Sequence, residues 1–264
     1  MAEFLASDGV TIHYEVEGTQ YGPPLVFSNS LGTNFHMWDG QVGKATELGF
    51  RVIRYDQRGH GRSAAPKENY SLARLADDLA ELLNTLRIEK TAFCGLSMGG
   101  FTGIHLGKRH PSRFTRLALC NTAAFMAPPE MWNARIKAVT DGGMEAVVDS
   151  VVERWFTPSF RQESPSEVGR IRKMILSTEP VGYAGCCAAI RDMDERNQLG
   201  LIEAPTLVLI GEHDPATTPE KGQYLVERIP GALKSVVDSA HLSNIERPDD
   251  FNRVVLGFLA GKQA

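Results

Sequence analysis

The chain has few cysteines, and none of them lies in a pattern typical of a metal site. Its 264 residues include Cys94, Cys120, Cys186 and Cys187, with no CxxC pair and no cysteine–histidine spacing of the kind that binds zinc. All four lie in apolar or alanine- and glycine-rich surroundings, where a free cysteine usually serves as a small core side chain. We therefore expect no metal, no other cofactor and no redox role.

The sequence also lacks a readable signal peptide, a membrane-spanning run and an excess of basic charge. The first residues, Met1–Phe4, contain neither a basic nor an apolar targeting segment. No apolar run approaches the roughly 20 residues that span a bilayer. The net charge of −4 argues against nucleic acid and anionic membranes as partners. The expectation is a cytoplasmic protein with a small-molecule partner, and the oligomeric state stays open.

Short apolar runs alternate with amphipathic stretches over much of the chain. The runs predicted as strands are Val10–Val16, Pro24–Ser28, Phe50–Asp56, Thr91–Gly95, Arg116–Cys120, Pro205–Ile210 and Leu233–Val237. The stretches predicted as helices are the one capped by Ser71, then Met98–Arg109, Pro219–Ile229 and Pro248–Leu259. This alternation predicts an α/β protein whose mostly parallel sheet carries helices on both faces.

The alternation fails between about Phe125 and Asn197, where the composition is helical and includes Trp132 and Trp155. We interpret 125–197 as a helical cap inserted into a core formed by 1–124 and 198–264. An insertion between two strands of an open sheet is well placed to cover a site at the strand ends.

The strongest motif is the segment GLSMGG at 95–100, a GxSxG that directly follows a predicted strand and precedes a predicted helix. In that context it predicts a nucleophile elbow, with Ser97 exposed on a sharp turn in a strained backbone conformation. Side chains two residues before and after the serine would collide with the neighbouring strand and helix, so Gly95 and Gly99 fit the motif.

A serine nucleophile needs a base, and the base needs a group that orients it. In a fold with this elbow the order along the chain is serine, acid, histidine. Asp214 and His241 follow the last two predicted strands and are therefore expected at the same sheet edge as Ser97. Glu212 is the alternative acid, and His36 and His60 stay open as alternative bases.

Acyl transfer also requires donors for the oxyanion. One predicted donor is the backbone N–H of Met98, the residue after the serine. The other is the N–H of Leu31, in the loop that follows the strand Pro24–Ser28.

These residues resemble the α/β-hydrolases over nearly the whole chain, and Tyr55–Ser63 (YDQRGHGRS) is similar to that superfamily's loop after the fourth strand. More narrowly, the chain resembles the 3-oxoadipate enol-lactonase family. The segments that carry this resemblance are SNSLGT (28–33), CGLSMGG (94–100), CNTAA (120–124), RWFTPSF (154–160), GYAGCCAAIRDMD (182–194) and AHLSNIERP (240–248). The resemblance implies an α/β-hydrolase fold with an eight-stranded sheet and a helical cap.

The resemblance also implies a substrate, an enol-lactone with a carboxylate arm that is opened to 3-oxoadipate in bacterial catabolism of protocatechuate and catechol. A carboxylate needs a local cation on an acidic protein, and the cap offers Arg135, Arg154 and Arg191. Trp155 and, less strongly, Trp132 are candidates to line the pocket.

Other interpretations use the same core motifs. The same triad could serve another small-molecule serine carboxylesterase, or a cofactor-free haloperoxidase or perhydrolase. A non-enzymatic small-molecule receptor of this fold is a further alternative. An NAD enzyme has no support, because no GxGxxG follows the first strand.

Overall fold

The computed structural model describes residues 2–126 and 128–262, and its strands form one sheet. The strands are β1 (Ala2–Leu5), β2 (Thr11–Gly18), β3 (Pro24–Ser28), β4 (Arg51–Tyr55), β5 (Thr91–Leu96), β6 (Phe114–Cys120), β7 (Thr206–Gly211) and β8 (Leu233–Val237). Their order is β1-β2-β4-β3-β5-β6-β7-β8. Only β1 with β2 and β2 with β4 pair antiparallel among the described strands. The predicted eight-stranded, mostly parallel sheet is confirmed.

Helices cover both faces of this sheet. They are α1 (Asp39–Glu47), α2 (Leu72–Thr85), α3 (Met98–Arg109), α4 (Pro129–Gly142), α5 (Val148–Trp155), α6 (Pro158–Glu163), α7 (Pro165–Leu176), α8 (Pro180–Asp192), α9 (Pro219–Arg228), α10 (Ser243–Glu246), α11 (Pro248–Phe251) and α12 (Gly257–Leu259). Side chains alternate between two apolar cores: in β6, Leu117 and Leu119 join the core under α2 and α9, while Ala118 and Cys120 join the core under α1 and α12.

Helix α2 shows how local sequence sets these elements. Its start is capped by Ser71, whose hydroxyl accepts the N–H of Arg74 at 3.1 Å, an arrangement that typically contributes about 1 kcal/mol. Leu75, Leu79 and Leu82 recur at helical spacing and are fully buried against the sheet. Burial of this apolar face contributes more stability than the cap.

The segment between β6 and β7 contains helices α4 to α8, four of which begin with proline at the first helical position. An isolated bridge between Phe125 and Asp194 joins the two ends of this segment. Its buried side chains, among them Val148 and Ile171, continue the core on the α1 face of the sheet. These helices form the predicted cap, and the division at 125 and 197 stays a prediction.

Several elements differ from the sequence prediction, which did not include α1 and α10, and two of the differences are informative. Strand β1 was not among the seven runs predicted as strands, and only the resemblance implied an eighth. Only Phe4 of its four side chains is buried, and so short an edge strand has almost no alternation to detect. The helix expected over Pro248–Leu259 is divided by a π-helical turn at Asn252–Leu256. Val255 and Leu256, which are neighbours in sequence, are both buried in the core at this turn.

All four cysteines are free and buried. No helix in the described part of the chain has the length and apolar character needed to cross a membrane.

Candidate active site

Ser97 occupies the sharp turn between β5 and α3, and its backbone has φ 55° and ψ −114°. A non-glycine residue in such a conformation carries strain on the order of 1–3 kcal/mol. The glycines around it are sterically required. A Cβ on Gly95 would lie 2.4 Å from the carbonyl of Gly99, and a Cβ on Gly99 would lie 2.1 Å from the carbonyl oxygen of Ser28. The sequence therefore holds the serine at the carboxyl edge of the sheet.

Asp214 and His241 form a buried pair at the same edge. The Asp214 carboxylate lies 2.8 Å from His241 Nδ1. It also accepts the N–H groups of Ala216 and Thr217 at 2.8 and 3.0 Å and the Thr217 hydroxyl at 2.6 Å. Burial alone would raise the pKa of Asp214, but His241 and the Thr217 hydrogen bonds outweigh burial and lower it. The carboxylate is therefore ionised at neutral pH, with the imidazole oriented beside it.

Residues at the end of β6 connect Ser97 to this pair. The Thr122 hydroxyl donates to the carbonyl of Ser97 at 2.8 Å. The Asn121 side chain donates to Asp214 and to the carbonyl of Ala240, both at 3.1 Å. The three predicted side chains thus lie on adjoining loops at one sheet edge. Within the described residues Ser97 and His241 are not hydrogen-bonded, and such catalytic bonds commonly tighten only when substrate is bound.

The alternative bases and the alternative acid are engaged elsewhere. The exposed His36 ring pairs with Asp39 at 3.2 Å. His60 is buried, with Nε2 accepting the N–H of Gly32 at 2.8 Å and Nδ1 lying 3.2 Å from the Arg58 carbonyl. Burial lowers the pKa of His60 to about 4, so it is neutral and both ring nitrogens are occupied. Glu212 is exposed, whereas Asp214 contacts His241 directly.

The two predicted oxyanion donors differ from their neighbours in having no partner among the described residues. Around Leu31, the N–H of Ser30 contacts the Met37 sulfur at 3.3 Å, and the N–H of Gly32 donates to His60. The residues flanking Met98 donate to backbone carbonyls, Ser97 at 3.0 Å and Gly99 at 2.9 Å. The N–H groups of Leu31 and Met98 form no hydrogen bond within that part of the chain.

The Gly99 bond ends on the carbonyl of Asn29, so it ties the elbow to the loop that contains Leu31. Two unused donors on adjoining, mutually bonded segments are the arrangement that a developing oxyanion requires.

A cavity of about 210 Å³ lies between the cap and the loop that follows Asp214. Its lining residues are Met126, Met131, Trp132, Arg135, Arg154, Trp155, Pro215, Ala216 and Lys221. The Trp155 ring lies 5.9 Å from the His241 ring, and the Arg135 guanidinium lies 5.1 Å from the Trp132 ring. Four of the five cap residues selected from the sequence therefore meet at one cavity. Its lining does not include Ser97 or His241, and Trp155 is the lining residue whose ring adjoins the histidine.

Arg135 and Arg154 form no salt bridge with any described residue, although both are only partly exposed. Burial and the positive charge of Arg135 together lower the pKa of Arg154, and the charges of Tyr183 and Glu153 only partly oppose this shift. Two neighbouring cations without a carboxylate partner form a site suited to an anionic ligand.

Arg191 is not part of this cavity. Its guanidinium makes two 2.7 Å contacts with the adjacent Asp192 and one with Asn133. The charge of Arg191 is therefore already paired with Asp192. Arg191 does not line the cavity at which it was expected to bind the substrate.

Sequence reasoning missed Lys221, the third cation at the cavity. Its ammonium donates to the carbonyl of Ala216 at 3.2 Å and contacts the Met126 sulfur at 3.4 Å. Burial lowers its pKa, and the nearby Asp214 charge partly opposes that shift. Nothing in the local sequence around Lys221 indicates that its side chain lines the cavity.

In the described part of the chain one cluster has the spacing of metal ligands, namely Glu212, His213 and Asp238. All three are exposed, and His213 already pairs with Asp238 at 2.9 Å. The expected absence of a metal and of other cofactors stays a prediction.

Comparison with known proteins identifies relatives of the whole chain. The family described as alpha/beta hydrolase fold matches residues 23–248. The chain is 39% identical over 251 residues to 3-oxoadipate enol-lactonase 2 of Acinetobacter baylyi, covering 95% of this chain and 94% of that protein. The crystal structure of the enol-lactonase from Burkholderia xenovorans LB400 matches with a TM-score of 0.95 and 43% identity, over 98% of this chain and 99% of that one. A thermophilic esterase from Thermogutta terrifontis matches with a TM-score of 0.92 and 28% identity, over 98% of both chains.

Proposed function

The chain belongs to the alpha/beta hydrolase fold family, and from this premise we propose that it hydrolyses 3-oxoadipate enol-lactone to 3-oxoadipate with Ser97, His241 and Asp214 as its triad. The reaction would serve bacterial catabolism of protocatechuate and catechol. The enol-lactonases at 39% and 43% identity over nearly the full length support the substrate. The observation that carries the chemistry is the 2.8 Å contact between Asp214 and His241 at the edge that holds Ser97.

In the first step the Ser97 oxygen attacks the lactone carbonyl carbon while His241 Nε2 accepts the serine proton. Nε2 is the nitrogen that acts, because Asp214 holds Nδ1. The negative charge that develops on the carbonyl oxygen is stabilised by the N–H groups of Leu31 and Met98. Both donors are free for this role, so no existing bond has to break.

In the second step the ring C–O bond breaks, and the imidazolium returns its proton to the departing enolate oxygen. The enol stays attached to the acyl group because the substrate is a ring, and it becomes a ketone by tautomerisation. Water, deprotonated by His241, then attacks the acyl carbon, and Ser97 leaves with the proton. The product carries two carboxylates, the original arm and the new one at the former lactone carbonyl.

The substrate's carboxylate arm is assigned to the cap side of the cavity. Arg135 and Arg154 lie there without a carboxylate partner among the described residues, and Lys221 adds a third positive charge. Trp132 and Trp155 supply the apolar wall around the ring. An anion bound to arginine in a partly buried site forms charge-assisted hydrogen bonds about twice as strong as neutral ones.

The test compares matched substrates with the purified protein. The enol-lactone prepared from muconolactone, its methyl ester on the carboxylate arm, and p-nitrophenyl acetate are offered side by side. We expect kcat/KM for the free carboxylate to exceed that for the methyl ester by roughly 100-fold, since the ester leaves the cations unpaired. Equal values for the acid and its methyl ester would favour a general carboxylesterase, in line with the 28% identical esterase.

The nucleophile is tested separately. A fluorophosphonate label should form one adduct, mapped by mass spectrometry to the peptide containing Ser97. Rapid lactone hydrolysis by a protein that is not labelled at Ser97 would contradict the serine mechanism while leaving the substrate assignment intact.

A further inference from the structure

Glu246 is a buried carboxylate that the proposed reaction does not use. It is 3% exposed and forms no salt bridge within the described residues. A buried carboxylate without a cation has a large desolvation cost unless strong hydrogen bonds offset it. The partners that offset this cost therefore show what the residue holds together.

The partners of Glu246 come from two separate parts of the chain. One carboxylate oxygen accepts the N–H of Ala240, directly before His241, at 2.9 Å. The other accepts the N–H of Thr157 at 3.3 Å and also the Thr157 hydroxyl. Thr157 lies in the cap and caps the start of α6. Glu246 thus connects the segment that contains the histidine to the cap.

The same two segments are also joined next to this carboxylate. The consecutive N–H groups of His241 and Leu242 both donate to the carbonyl of Trp155, at 3.1 and 3.2 Å. Three successive backbone N–H groups therefore connect this segment to the cap. Ala240 donates to Glu246, which is bound to Thr157, and His241 and Leu242 donate to Trp155. The carbonyl of Ala240 accepts a hydrogen bond from the Asn121 side chain at 3.1 Å.

We propose that Glu246 is a positioning residue that locks the backbone of His241 to the cap segment 155–157 and so sets the imidazole relative to Ser97. The inference rests on the proposed serine mechanism, because it concerns the placement of that mechanism's base. A carboxyl group suits this role, since its two oxygens receive the Ala240 and Thr157 donors at the same time. A displacement of about 1 Å in a catalytic group can lower a rate about 100-fold.

The test is Glu246→Gln, which keeps the size of the side chain but leaves a single acceptor oxygen. We expect kcat for the enol-lactone and for p-nitrophenyl acetate to fall about 10- to 100-fold with KM within about twofold. The rate of fluorophosphonate labelling at Ser97 should fall by the same factor, because labelling depends on the base and not on the lactone. The matched control is Glu227→Gln at an exposed position on α9, which should leave all three rates unchanged.

A second variant covers the case in which Glu246→Gln does not fold. Thr157→Val removes the hydroxyl, which donates to Glu246 and caps the start of α6, and keeps the backbone N–H. We expect kcat and the labelling rate to fall together by about threefold or more. If both variants fold, their effects should be less than additive, because they disrupt one network.

The outcomes separate this inference from the proposed function. If the wild type is labelled at Ser97 and Glu246→Gln retains its kcat and labelling rate, the positioning role is wrong and the triad stands. If Glu246→Gln fails to fold and Thr157→Val has wild-type rates, the role is also wrong. If the wild type is not labelled at Ser97 at all, the proposed mechanism itself fails.

Discussion

The two walls of the candidate active site differ in how their charged groups are paired. On the sheet side, the Asp214 carboxylate accepts hydrogen bonds from His241, Thr217, Ala216 and Asn121. On the cap side, Arg135 and Arg154 have no carboxylate partner within the described residues. A group that must hold one geometry is fixed by many partners, whereas a group that must bind an incoming anion is left without a salt bridge. The first wall is therefore suited to the reaction and the second to the choice of substrate.

The largest expected effect tests the sheet wall. Ser97→Ala removes the attacking oxygen, and kcat should fall roughly 10⁴- to 10⁶-fold for the enol-lactone and for p-nitrophenyl acetate alike. Affinity for the product 3-oxoadipate, measured by calorimetry, should change little because the cap cations are intact. A variant that loses product binding together with activity would show that the two walls do not act separately.

The next effect concerns the sheet as a scaffold. Leu119 in β6 is completely buried, so Leu119→Ala should lower the free energy of unfolding by about 2–5 kcal/mol through lost contacts and the cavity left behind. Urea unfolding measures this, with Leu201→Ala as the control because that side chain is 50% exposed. A loss below about 0.5 kcal/mol at Leu119 would be inconsistent with a tightly packed sheet.

The buried His60 should make the stability of the folded protein depend on pH. Its pKa is lowered to about 4 in the folded protein because burial disfavours the charged ring, while an unfolded histidine titrates near 6.5. Below about pH 6.5 the unfolded chain therefore binds a proton that the native state does not, and stability falls until about pH 4. The total loss from this group is about 3 kcal/mol.

His60→Gln keeps an acceptor for the N–H of Gly32 and removes the titration. Relative to the wild type, the variant should therefore lose about 3 kcal/mol less stability between pH 7 and pH 4. Urea unfolding at several pH values measures this difference. Parallel curves for the two proteins would mean that His60 is accessible to protons in the folded state.

The sequence predicted the sheet wall better than the cap wall for a physical reason. Neighbouring backbone atoms leave no room for a Cβ at the elbow glycines. This steric requirement produces a short local motif that can be recognised in the sequence. The shared edge of Ser97, Asp214 and His241 could be inferred because each follows a predicted strand, and parallel strands end at one edge. The confirmed sheet shows how far apolar runs and turn residues determine this part of the fold.

The cap interactions join positions that are distant along the chain and carry no local pattern. Lys221 reaches the cavity from α9, and Glu246 contacts Thr157, 89 residues before it. Arg191 looked equivalent to Arg135 in sequence, yet its neighbour Asp192 satisfies its charge. Whether an arginine is paired depends on side-chain placement in three dimensions, which composition and spacing do not specify.

The smallest expected effect tests the cap wall. Arg154→Met keeps the length of the stem and removes the charge, so kcat/KM for the enol-lactone should fall about 10- to 100-fold, mainly through KM. The methyl ester of the same lactone and p-nitrophenyl acetate should be hydrolysed at nearly unchanged rates, because neither presents an anion. Arg135→Met should act in the same direction.

Arg191→Met is the matched control, because it removes a cap arginine that already pairs with Asp192 at 2.7 Å. It should leave kcat/KM for every substrate within about twofold, since an exposed ion pair contributes little. Equal losses for the lactone and its methyl ester in Arg154→Met would mean that the arginine supports packing and not anion binding. A selective loss in Arg191→Met would place the anion site elsewhere in the cap, and the contrast between paired and unpaired arginines would then no longer explain substrate choice.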